Sequence, residues 1–140
     1  IVLASVHVTD HYDLLSSVAA DDRWQGYPAQ RDAFVAAIAA VPGVFVVTGD
    51  MHYGAIQRVG ADGDPGDGLW EVAAGTAGSE PFPILGLGEF VGGMPAQYEH
   101  VVQDWTWARF EADPGLGQIT VQLIDDLGEV AAERILSLRS

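Results

Sequence analysis

The chain has 140 residues, the size of one domain, and its 49% hydrophobic and 19% charged content excludes global disorder. Twenty acidic residues against six basic ones, all arginine, give a formal charge of −14, a field that repels polyanions and anionic lipid and excludes nucleic-acid binding by charge. With no cysteine there is no disulfide, thiolate metal site or thiol nucleophile, and no apolar run is long enough to span a bilayer.

Ile1 to Val8 is an apolar, partly β-branched run that predicts a strand buried on both faces. It opens at Ile1 with core-strand residues and no basic leader, so the chain reads as an excerpt or processed part of something longer. Residues 9 to 27 are mostly polar and read as a long loop. Pro28 suits the first turn of a helix running to about Val41, with Phe34, Ile38 and Val41 on one face and Arg31 and Asp32 off it. Pro42-Gly43 stops it, and Val44 to Thr48 is a second buried strand, so strand, helix and strand form a parallel crossover unit.

Ala55 to Val59 and Leu69 to Ala74 read as a hairpin around the turn-rich residues 61 to 68. Gly75 to His100 is rich in Gly and Pro and predicts an irregular excursion from the sheet. Trp105 to Glu111, Gln118 to Ile124 and Glu129 to Leu136 alternate as antiparallel strands, with Trp105 and Trp107 expected in the core.

The segment that carries chemistry is Val46-Val47-Thr48-Gly49-Asp50-Met51-His52-Tyr53, an apolar strand running into a carboxylate and an imidazole two residues apart. In extended backbone such residues point the same way, so Asp50 and His52 can converge just past the strand's carboxyl end, where open α/β sheets place ligands. That donor pair suits Fe, Zn or Mn; the competing reading is a capping Asp and a partly exposed His.

Asp22, Trp24, Gly26, Tyr27, Pro28 and Arg31, followed by a helix and by Gly49, Asp50 and His52, resemble the PhoD-like (alkaline phosphatase D) family. Its C-terminal half carries Asp-x-Trp-x-Gly-Tyr-Pro-x-x-Arg, a helix, and an apolar strand ending in Gly-Asp-x-His. Trp70 to Ser79 is similar to the family's next strand and small-residue loop. The resemblance implies an α/β (α+β) fold: the C-terminal half of a calcineurin-like metallophosphoesterase sandwich flanked by helices, its mixed sheet followed by antiparallel C-terminal hairpins. It implies metal-dependent hydrolysis of phosphate mono- or diesters at a two-metal centre of Fe, Zn, Mn or Ca, with Asp50 and His52 as ligands and catalytic residues. The metals would clamp the phosphoryl oxygens and activate a bound water. It also implies a periplasmic or extracellular location, and further ligands on a missing N-terminal half that would be this chain's partner. On this reading residues 1 to 140 are one domain or the C-terminal part of a larger one, inactive alone.

His7, at the end of the first strand, is a candidate third metal ligand, whereas His11 reads as solvated and His100 has no evident partner in sequence. Trp24 and Tyr27 either wall the substrate pocket or pin the loop, and Arg31 either clamps a phosphate or pairs on the helix surface. The alternative function is a non-catalytic, acidic β-rich interaction or calcium-binding module. Its strongest support is Asp62, Asp64 and Asp67, which also read as a solvated hairpin tip.

Overall fold

The computed structural model describes residues 1–9, 20–76, 78–83 and 95–138. Among these residues, eight strands and one helix make three layers: β1 (Val2–Leu3), α1 (Pro28–Ala39), β2 (Phe45–Thr48), β3 (Gly54–Arg58), β4 (Trp70–Ala74), β5 (Tyr98–Val102), β6 (Thr106–Asp113), β7 (Gln118–Asp125) and β8 (Val130–Ser137). Two short 3₁₀ turns, Ala20–Asp22 and Trp24–Gly26, lead into the helix. The mixed α/β, strand-dominated class expected from sequence is the one observed.

The central sheet has the order β1-β2-β4-β3-β5, with β1, β2 and β4 parallel and β3 antiparallel to both β4 and β5. The β1-α1-β2 passage is the expected crossover, and β3 with β4 the expected hairpin. A second sheet, β6-β7-β8, is antiparallel throughout. Phe45, Ile56 and Val72 of the first sheet pack on Ile119, Val121, Leu123 and Leu136 of the second. On the other face, Val35 of α1 closes over Val8, Val46, Val59 and Leu69. Each such side chain, fully buried, contributes about 1.5–3 kcal/mol.

Four expectations need correction. β1 is a two-residue strand at the sheet's edge, not one buried on both faces; Leu3 is 79% exposed because nothing among the described residues covers that face. Arg31 is on the helix's inward stripe with Phe34, Val35 and Ile38, at spacings of three, four and seven, while Val41 points out. β5 forms within the stretch expected to be irregular, pairing with β3 from Gly54↔Val102 to Gln57↔Tyr98. Finally, Trp105 and Trp107 are 39% and 50% exposed, since the inward phase of β6 belongs to Thr106, Ala108 and Phe110.

Gly75 explains that phase. Its φ is +90°, and a Cβ there would run into the Oγ1 of Thr106; Gly54 meets the same hydroxyl. Only a small side chain fits between two glycines, so Thr106 turns in and the tryptophans turn out. Gly75→Ala combines left-handed strain with overpacking, each costing on the order of 1–3 kcal/mol. A loss of about 3 kcal/mol in urea unfolding is expected, and a loss below ~0.5 kcal/mol would contradict this packing.

Candidate functional site

The carboxyl ends of the parallel strands β2 and β4 are side by side, Thr48 opposite Ala73, and β3 begins at the same end, Gly54 opposite Ala74. Asp50 and His52 occupy the connection between β2 and β3. Its backbone is not the extended continuation that the i, i+2 argument assumed. Asp50 has φ +72° and His52 φ +56°, the only non-glycine residues with positive φ among those described. Met51 N–H donates to Gly49 C=O at 2.9 Å, closing a three-residue γ-turn around Asp50, of the strained, positive-φ kind. The correction leaves the alternation intact: Met51 and Tyr53 are buried in a cluster with Ala55, Ala73 and Tyr98, whereas Asp50 and His52 are exposed. Phe82 N–H donates to the His52 carbonyl at 2.7 Å and ties the turn to the segment after β4. Two left-handed residues, at roughly 1–3 kcal/mol each, persist only where the surroundings impose them, and such outliers cluster at functional sites.

Beneath the turn lies a buried polar cluster. Glu71, 0% exposed in mid-β4, accepts Val8 N–H at 2.7 Å on Oε1, and Thr9 N–H and the Gln57 amide NH₂ at 2.9 Å each on Oε2. It thereby clamps the chain that follows β1. His7, 2% exposed, has Nδ1 3.2 Å from the Tyr53 hydroxyl and 3.4 Å from Gln57 Nε2, and its ring meets the Tyr53 ring edge-on at 5.2 Å. Burial holds the His7 pKa below its ordinary value despite the charges of Glu71 and Asp50. Burial alone would raise the Glu71 pKa, but His7, the Thr9 and Val8 contacts and Gln57 together bring it below the ordinary carboxylate value. The Tyr53 hydroxyl is pushed well above 10, by burial first and then by Tyr98.

The flank expected to face substrate divides its tasks. Trp24 stacks on Phe34 at 5.1 Å and pins the turn to α1, yet with Tyr27, Arg23 and Val6 it also lines a cleft of about 530 Å³. Tyr27 is exposed and donates to Asp21 C=O at 3.2 Å. Arg31 bonds the backbone around it. Its Nε donates to Val8 C=O at 2.7 Å and a terminal nitrogen to Val59 C=O at 3.3 Å, which ties the helix to the segment after β1 and to the end of β3. Arg23, in a polar loop with no pattern to single it out in sequence, is the cation whose charge reaches His7 and Tyr53.

Among the described residues no group of three or more His, Cys, Asp or Glu is gathered to hold a metal ion. The exposed carboxylate and imidazole of the turn fit part of a transition-metal donor set, not a whole one. At the Asp62, Asp64 and Asp67 cluster, Arg58 is 2.7 Å from both the Asp62 and Asp67 carboxylates, so two of the three are paired with a guanidinium. His100 sits on β5 opposite Ile56; His11 lies outside the described residues. Among the described residues no helix is long and apolar enough to cross a membrane.

A helix over a mixed sheet over an antiparallel sheet thus places a strained turn carrying an aspartate and a histidine at the strand ends. A solved structure, "Structure of PhoD", superposes with a TM-score of 0.60 at 17% identity, covering 96% of this chain and 27% of that one. The chain thus spans about a quarter of that protein's length. The family model described as PhoD-like phosphatase matches residues 2–122, and the chain belongs to that family. No curated protein matches it.

Proposed function

We propose that this chain supplies Asp50 and His52 as ligands to a two-metal centre hydrolysing phosphate mono- or diesters, with the remaining ligands contributed by protein outside these 140 residues. The observation that carries this reading is the pair of left-handed, exposed donors on one short turn, anchored by the buried Met51 and Tyr53. Two non-glycine residues at positive φ on one short turn are uncommon, and a constraint on where their side chains point accounts for the strain. When bound, the metals would polarise the phosphoryl oxygens and lower the pKa of a water. Arg23, beside Trp24 and Tyr27 in the cleft, would supply local positive charge to an anionic ester that the −14 overall field opposes. That ester is the partner this reading implies.

The test is elemental analysis of the full-length protein and of two variants that tolerate the left-handed backbone, Asp50→Asn and His52→Gly. About two metals per chain are expected in the wild type, with each variant losing roughly one. Unchanged metal content in both variants would refute the assignment.

A further inference from the structure

Gln57 and Glu71 sit directly opposite each other on β3 and β4, both fully buried. A buried carboxylate accepting from Val8 N–H, Thr9 N–H and the Gln57 amide leaves that amide one orientation. Turned over, it would set its carbonyl against Glu71 Oε2 at 2.9 Å, acceptor against acceptor. With the NH₂ so fixed, its second hydrogen faces His7 Nδ1 at 3.4 Å, and Tyr53 O–H is at 3.2 Å from the same nitrogen. A proton on Nδ1 would confront the amide hydrogens, so Nδ1 is the acceptor and the ring's proton belongs on Nε2.

We propose that His7 is a positioning residue, a neutral imidazole protonated on Nε2 and held so by Tyr53 and by Gln57, which Glu71 orients. The one lone pair of the ring is then turned toward Tyr53 and Gln57, and Nε2 is a hydrogen-bond donor with none to offer a metal. This replaces the expectation that His7 is a third metal ligand. A nitrogen that binds metal must be unprotonated, and the nitrogen that is unprotonated here faces Tyr53 and Gln57.

The wild-type full-length protein, metal-free and labelled with ¹⁵N-histidine, gives the first answer by long-range ¹H–¹⁵N correlation, with His7 identified by its loss in His7→Gln. The expected pattern is a protonated Nε2 and a bare Nδ1, and a protonated Nδ1 would overturn the proposal. Because no metal is present, this result is independent of the metal-site reading. The second answer is metal content. His7→Gln keeps an N–H donor near the Nε2 position and His7→Leu does not. Both are expected to retain wild-type metal content, with turnover within about tenfold for Gln and down ~10–100-fold for Leu, the range for residues that orient a metal site. Loss of a metal in both variants would make His7 a ligand and overturn the proposal; equal turnover in the two would remove the donor role.

Discussion

His52→Gly in the full-length protein is expected to lower turnover of an aryl phosphate by at least ~100-fold, the scale seen when one group that stabilises a developing charge is removed. Glycine is the informative replacement because His52 has φ +56°. Alanine would keep the left-handed strain, whereas glycine relieves it and adds unfolded-state entropy, two effects that oppose each other. Stability should therefore stay within about 1 kcal/mol of wild type, and a large kinetic loss at nearly constant stability assigns the effect to the imidazole. Activity within threefold of wild type would mean that His52 does not act at the centre.

Glu71→Ala should have the largest effect on stability. It strands three buried donors, the N–H groups of Val8 and Thr9 and the Gln57 amide. At roughly 1–3 kcal/mol for each unsatisfied group, the loss is on the order of 4 kcal/mol or more, comparable with the whole stability of a small domain. Glu71→Gln keeps one acceptor and should lose about half as much. The dependence on pH follows in sign from the depressed pKa values of His7 and Glu71. In both cases the unfolded chain takes up protons that the folded chain refuses, so stability falls as pH drops. The decline begins below 6.5, the ordinary His value, and a second component sets in below 4.5, the ordinary Glu value. The Glu71 contribution is fully present above 4.5, so the gap in urea unfolding between wild type and Glu71→Gln should narrow only below that pH. A gap independent of pH from 7 to 3.5 would contradict an ionised Glu71.

The crossover and the β3–β4 hairpin were legible in sequence because each carries a local signal, a buried run or a turn cluster, whereas the backbone of Gly49–Tyr53 was read as extended and is a turn. Other features depend on tertiary partners. Tyr98 to Val102 is a short run hidden behind glycines and prolines, and it becomes a strand because β3 offers an edge. The alternation in β6 fits either phase; the choice comes from Gly54 and Gly75, distant in sequence, which leave room only for Thr106. Leu3 reads as core by composition yet stands exposed at the sheet's edge. Glu71 and Gln57 did leave a signal, a charge and an amide in the middle of otherwise apolar strands, where each must find a buried partner. The backbone strain at Asp50 and His52 left none, since both residue types are ordinary in turns.

The most direct measurement of the central claim is a crystal structure of the full-length protein recorded at the anomalous edge of its metals. Metal positions should lie about 2.0–2.2 Å from a His52 ring nitrogen and from an Asp50 carboxylate oxygen, with His7 outside the ligand sphere. Anomalous peaks that lie elsewhere, with Asp50 and His52 facing only solvent, would contradict the account.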